Sequence, residues 1–194
     1  TRNNAAVQTI RRKDLGENHA MNKTVSQIPQ QVGWYLSGFV DGEGSFNVAL
    51  IPRPEYALRW KVYLTFNVAQ KDKTVLALMK RHFKAGRLEL RRDGVWNYSI
   101  NDLRGLRDVV VPFFNSFGFL SASKKKNFSL FQRVVRAVDR GEHLTRPGLE
   151  EIITLREKLN EGKGRTRKYS QADYERSQES PETIRQIRLS GGKI

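Results

Sequence analysis

The chain has 194 residues, of which 35 are Lys or Arg and 20 are Asp or Glu, giving a formal net charge of +15 and a pI near 10.3. At 38% hydrophobic, with 10 Phe, 6 Tyr and 3 Trp, it can bury the core of one sizeable domain or two small ones. The absence of cysteine excludes disulfides, thiolate zinc sites and a Cys nucleophile. No apolar run approaches the roughly 20 residues that span a bilayer, and no signal-peptide pattern opens the chain. No membrane partner is therefore expected, and the location is read as intracellular: a bacterial or archaeal cytoplasm, or an organelle matrix or stroma. So large a positive surplus repels itself in a compact fold, so a polyanion that neutralises it is the natural partner.

Residues 1–32 read as a polar leader with Arg11, Arg12 and Lys13 clustered; the first methionine is Met21, which fits a processed start. An apolar stretch from Val32 to Val40 predicts a helix that Asp41-Gly42-Glu43-Gly44 stops, since paired glycines end helices at low steric cost. Ser45 to Ile51 alternates, as does the run from Arg59 to Val68 beyond Pro52 and Pro54, which predicts two long antiparallel strands. Thr74 to Phe83 has helical spacing, with Val75, Leu78 and Met79 as its apolar stripe. Arg87 to Ile100 is a second hairpin turning at Arg92-Asp93-Gly94, with Leu88, Leu90, Trp96, Tyr98 and Ile100 inward. Asp102 reads as the N-cap of a helix through Leu106, Val110 and Phe114, and Phe113, Phe114, Phe117 and Phe119 as core. Further helices are predicted from about Lys124 to Val138 and from Gly148 to Asn160.

The order α-β-β-α-β-β-α, with an additional C-terminal helix, gives an α+β fold. In it, a four-stranded antiparallel sheet is covered by helices on one face. The other face carries Asn47, Arg59, Lys61, Tyr63, Asn67, Arg87, Arg91 and Asn97, residue types that reach base edges or phosphates from a β-ribbon. From Glu161 to the end the pattern dissolves into a basic tail with Lys163, Arg165 and Arg167, either a solvated terminus or a phosphate-contacting arm. The division is thus a leader over 1–32, a domain over 33–160 and a tail over 161–194.

Read alone, Asp41-Gly42-Glu43-Gly44 is a helix stop with its acids turned to solvent. Read chemically, Glu43 and the carbonyl of Gly42 are the hard oxygen ligands that Mg²⁺ or Mn²⁺ takes, with DNA phosphates completing the shell. The stretch Tyr35-Leu36-Ser37-Gly38-Phe39-Val40-Asp41-Gly42-Glu43-Gly44-Ser45 resembles the motif of LAGLIDADG homing endonucleases. Two further segments are similar to that family over roughly residues 33–160: Phe66-Asn67-Val68-Ala69-Gln70-Lys71 and Lys124-Lys125-Lys126-Asn127-Phe128.

The resemblance implies the family's αββαββα fold and a site-specific, divalent-metal-dependent endonuclease that leaves short 3′ overhangs. It implies that Glu43, with Gly42, holds the metal and that Asp41 has a mainly structural place at the helix end. It assigns Gln70 to ordering the water network and Lys124 to offsetting charge near the scissile phosphate. Leu36, Ser37, Gly38, Val40 and Asp41 would lie where two motif helices pack. The family's basic residue beyond Gln70 has no clear match; Thr74, beside Lys73, stands there. With one motif in the sequence, two chains are needed to cut two strands, which implies a homodimer on a long pseudo-palindromic duplex. The alternative reading is a binding module of the same fold, an RNA-splicing maturase acting on its intron or a DNA-binding regulator without nuclease activity. No Gly-rich phosphate loop, Ser-His-Asp arrangement or metal-ligand spacing of His19, His82 and His143 supports another enzyme class.

Overall fold

The computed structural model describes residues 25–160 and 167–178. The order is α1 (Gln30–Glu43), β1 (Gly44–Pro52), β2 (Trp60–Gln70), α2 (Thr74–Phe83), β3 (Arg87–Leu90) and β4 (Trp96–Ile100). There follow α3 (Leu103–Gly105), a π-turn over Leu106–Val110, α4 (Val111–Phe117), α5 (Ala122–Asp139), α6 (Arg146–Glu157) and α7 (Gln171–Gln178). The strands form one antiparallel sheet in the order β1-β2-β4-β3. Alternation of apolar residues puts Phe46, Val48, Leu64, Phe66 and Val68 under the helices and leaves their neighbours on the open face. At the centre, the Phe46 ring lies 5.1 to 5.9 Å from those of Phe66, Phe114, Phe119, Phe128 and Phe131.

Several local expectations shift. The helix does not stop before the acids: α1 runs through Glu43, and Gly44 is already extended at φ −80°, ψ 155°, with its N–H donating to the Val40 carbonyl. A Cβ on Gly44 would lie 2.4 Å from Val40 Cγ1, so glycine is required by this close approach and not by a left-handed cap. Asp102 caps as expected, accepting from Gly105 N–H at 2.6 Å. The helix it starts contains a π-turn, in which Val111 N–H reaches back to Leu106. Pro112 explains it, because proline has no N–H and its ring crowds the carbonyl four residues back. Of the α2 side chains, Leu76, Met79 and Phe83 are the buried ones, with Val75 and Leu78 partly so. Leu90 is 57% exposed, at the end of the edge strand β3.

Both expected domain borders also move. Val25 and Ile28 are buried in the main core, so the fold begins before residue 33. Beyond residue 160, Tyr174 on α7 is buried with Leu50, Trp60, Leu149 and Ile153 in a second cluster, so the expected tail contains a packed helix. Arg167, expected to contact DNA, is engaged within the chain: its guanidinium pairs with Glu157 and caps the carbonyls of Arg156 and Leu159 at 2.6 and 2.8 Å, at the end of α6. Lys163 and Arg165 lie outside the described residues. Among those described, no helix is long and apolar enough to cross a membrane.

Candidate active site

The helical period sorts the motif into two faces. Gly33, Leu36, Ser37 and Val40 are buried within the chain. Gly38 and Gly42 lie open, with nothing within 4 Å of a Cβ built on either, beside Trp34 and Tyr35, which are 58% and 54% exposed. This corrects the expected helix-pairing face. Leu36 and Val40 are completely buried in the chain's own core, and Ser37 donates its hydroxyl to the Gly118 carbonyl. A second helix could meet Gly38, not those three side chains.

Asp41 is also turned inward. Its Oδ2 accepts the N–H groups of Leu120 and Ser121 at 2.9 Å each, and its Oδ1 accepts the Ser121 hydroxyl. Partial burial pushes this carboxyl up. The Ser121 and Leu120 hydrogen bonds, with the charge of Lys124, more than offset that and hold it below the ordinary 3.8. Ser121 in turn N-caps α5, accepting from Lys124 N–H at 3.3 Å. Asp41 thus ties the end of α1 to the start of α5, which is where Lys124 must be placed. Neither Leu120 nor Ser121 was expected in the site; the signal was a serine three residues ahead of the lysine run, the N-cap spacing.

Lys124 Nζ donates to the Gly44 carbonyl. Burial pushes its amine below the ordinary 10.5, opposed by the negative charges of Asp41 and Glu43. Glu43 itself is exposed at the last helical position. Gly42 is among the last four residues of α1, whose carbonyls have no intrahelical partner. Gln70 ends β2: since Gly44 pairs with Val68, Gln70 lies two residues past that pair, at the same end of the sheet as Glu43. Thr74 does not supply the missing base; it donates to Asp72, and Lys73 lies over the Trp96 ring at 5.4 Å.

The open sheet face begins at this site. Ser45, Asn67, Ser99 and Arg87 form one cross-strand row, and Ala69, Asn97 and Glu89 another. Asn47 donates to Asn67 Oδ1 at 2.7 Å, and Asn101 donates to the Tyr63 hydroxyl at 2.6 Å. Lys61 is on the same face by register, opposite Ile51. Arg59 and Arg91 instead lie in the two hairpin turns, outside the strands, Arg59 at φ 60°. Arg87 and Arg91 have exposed acid neighbours, Glu89 at 3.7 Å and Asp93 at 2.7 Å, contacts that hold exposed charges only weakly.

Comparisons with known proteins identify the family. The LAGLIDADG endonuclease family matches residues 36–135. Probable intron-encoded endonuclease 2 of Neurospora crassa is 29% identical over 140 residues, covering 70% of this chain and 31% of that protein. Probable intron-encoded endonuclease 3 of the same organism is 32% identical over 145 residues, covering 73% and 27%. Among solved structures, the LAGLIDADG homing endonuclease I-SmaMI bound to cleaved DNA superposes with a TM-score of 0.64 at 27% identity, covering 81% of this chain and 48% of that one. The chain thus spans less than a third of the two fungal relatives and just under half of the structural neighbour. On the matched motif and the shared fold, the chain belongs to the LAGLIDADG endonuclease family.

Proposed function

We propose that the chain is a metal-dependent, site-specific endonuclease of the intron-homing kind, cutting duplex DNA as a homodimer on a long pseudo-palindromic target inside the cell. The observation that supports it best is the exposed Glu43 carboxylate at the end of α1, beside the partly buried Lys124 and at the margin of a polar open sheet face. The similarity to I-SmaMI, a homing endonuclease solved bound to cleaved DNA, supports the same substrate class.

The donor set fits a hard divalent ion only in part. No group of three or more His, Asp or Glu able to hold a metal occurs among the described residues. Asp41 is taken by Leu120 and Ser121. That leaves Glu43 and the Gly42 carbonyl as this chain's share of a Mg²⁺ or Mn²⁺ site, with phosphate, water and a second motif helix completing it. When bound, the ion lowers the pKa of water and stabilises charge on the phosphate. In the hydrolysis, a water oxygen bonds to phosphorus and the bond to the 3′-oxygen breaks, leaving a 3′-hydroxyl and a 5′-phosphate. Gln70 orients the water network, and the Lys124 ammonium offsets charge on the phosphate oxygens.

Among the described residues, nothing lies within 4 Å of a Cβ built on Gly38 or Gly42, and Trp34 and Tyr35 beside them are exposed, which suits pairing with a second motif helix about a two-fold axis. Light scattering of the free chain tests the dimer. For the chemistry, Glu43→Gln keeps the size and removes the charge. Cleavage should be lost while duplex binding persists in a gel-shift assay. A normal cleavage rate in that variant would place the site elsewhere; a wild-type chain that binds duplex but never cuts would favour the binding-module reading.

A further inference from the structure

β4 pairs with β2 only over Phe66–Gln70. The outer part of the first hairpin, Asn47–Pro52 against Trp60–Thr65, is therefore a ribbon of two strands with no third strand beside it among the described residues. Such ribbons are marginal alone, and their twist varies more than that of wider sheets. Yet Asn47, Lys61 and Tyr63, three candidate reading residues, stand on its open face. Something must hold its shape.

The segment beyond α5 does this from behind. β1 is an edge strand, and two of its carbonyls are taken by side chains: Asn160 Nδ2 donates to Phe46 O at 2.9 Å, and Arg156 Nε to Val48 O at 3.2 Å. These two carbonyls flank Asn47. Arg156 is only 4% exposed. A buried cation is costly unless it is paired and hydrogen-bonded. Here it donates to Glu157 at 2.7 Å and to the Tyr169 carbonyl at 2.5 Å, joining β1, α6 and the following segment at one guanidinium. Arg167 fastens that segment to the end of α6 through Glu157 and the α6 carbonyls.

The same segment grips the ribbon's far end. Tyr174 is buried with Leu50 and Trp60, the Trp60 ring meets Tyr169 edge-on at 5.4 Å, and Trp60 Nε1 donates to Ser177 at 2.7 Å. Gln178 donates to the Leu58 carbonyl in the hairpin turn at 3.4 Å.

We propose that Arg156, Arg167 and α7 form a brace that fixes the outer half of the β1–β2 ribbon for DNA reading. They are positioning residues for target selectivity, remote from the reacting atoms. This rests on the endonuclease reading above. Five strand steps from Thr65 to Trp60, at about 3.4 Å each, match roughly five base pairs of duplex. The brace therefore governs the outer positions of each half-site, and the inner positions depend on the four-stranded part.

The test compares Tyr174→Ala with Tyr174→Phe, which keeps the ring. Wild-type chain is incubated with random-sequence duplexes, cleaved molecules are sequenced, and the best site is then varied base by base. Tyr174→Ala should lose about tenfold in discrimination, about 1.4 kcal/mol, at the outer positions only. Tyr174→Phe should keep the wild-type profile. Hydrogen exchange on the free chains gives a readout independent of cutting: amides of residues 47–52 and 60–65 should exchange faster in Tyr174→Ala, while those of 66–70 stay protected. Unchanged discrimination, or equal loss at inner and outer positions, overturns the brace. So does exchange that is unchanged or that rises across the whole sheet. If the wild-type chain cuts nothing, the endonuclease reading fails, and the exchange data still decide whether the ribbon is braced. Should Tyr174→Ala fail to fold, Arg167→Ala releases the other end of the segment and carries the same expectations.

Discussion

Asp41 is the acid of the motif whose work the structure makes most explicit, and replacing it separates structure from chemistry. Asp41→Ala removes the acceptor of two N–H groups at 2.9 Å and of the Ser121 hydroxyl. Hydrogen bonds to a charged group are worth about 1.5–3 kcal/mol each, but water reaches this partly exposed carboxylate and replaces some of the loss, so we expect about 2–4 kcal/mol in total. Asp41→Asn keeps one oxygen able to accept both N–H groups and should cost only about 1 kcal/mol. The lost tie also loosens the start of α5 and hence Lys124, and a displacement near 1 Å can slow chemistry about a hundredfold. Urea unfolding and single-turnover cleavage measure the two effects on the same samples. The pH dependence has a fixed sign: the folded carboxyl titrates below its ordinary 3.8. Its contribution is therefore complete above the ordinary value and is lost as pH falls through the folded one. Asp41→Ala should accordingly unfold less steeply with acid. If Asp41→Ala is as stable as wild type within about 0.5 kcal/mol, the range of an ordinary surface change, or if Asp41→Asn is no better than Ala, the tie is not structural.

Other perturbations test the neighbouring groups. Because burial lowers the Lys124 amine, cleavage should decline on the alkaline side before pH 10.5. Stability should rise as pH climbs through the folded value, since the folded chain releases that proton first; in Lys124→Arg the alkaline limb should vanish from the pH–rate profile. Gly33 and Gly38 should separate by readout. A Cβ on Gly33 would lie 2.2 Å from the Phe117 ring, costing about 1–3 kcal/mol in thermal unfolding. Gly38→Ala should leave monomer stability intact and weaken self-association in light scattering. Gly44→Ala forces Val40 away and shifts the carbonyl that receives Lys124, so cleavage should fall more than duplex binding when both are assayed together.

The strands were legible because each hairpin alternates with a period of two and has one destination for its apolar face. Phe46, Phe66 and Tyr98 fall into the core on that rule alone. Asp102 was legible as a cap because capping is local chemistry. The motif helix was harder. Leu36, Ser37, Gly38 and Val40 are close in sequence, but a turn of 100° per residue sends Gly38 outward and the other three inward. Helix α7 carries almost no local signal: Tyr174 is its one buried side chain, and its place depends on Trp60, more than a hundred residues earlier. Likewise Arg167 looks like any tail arginine until Glu157 and the end of α6 are beside it.

The join between α1 and β1 explains why the motif is so compact in sequence. Glu43 is the last helical residue and Gly44 the first of the strand, with no loop between them. A carboxylate placed there moves with both the helix, whose outer face carries Gly38 and Gly42, and the strand, whose next outward side chains are Ser45 and Asn47. A longer turn would let the acid relax independently of either, and about 1 Å of slack is enough to matter for in-line attack. The short join requires glycine at 44, an inward Val40 to seat it, and a fastening from outside the helix. Asp41, through Leu120 and Ser121, supplies the fastening. The same residue thus makes the fold tight at the point where the proposed chemistry needs it, which is why one acid of the motif faces solvent and the other is turned to Leu120 and Ser121.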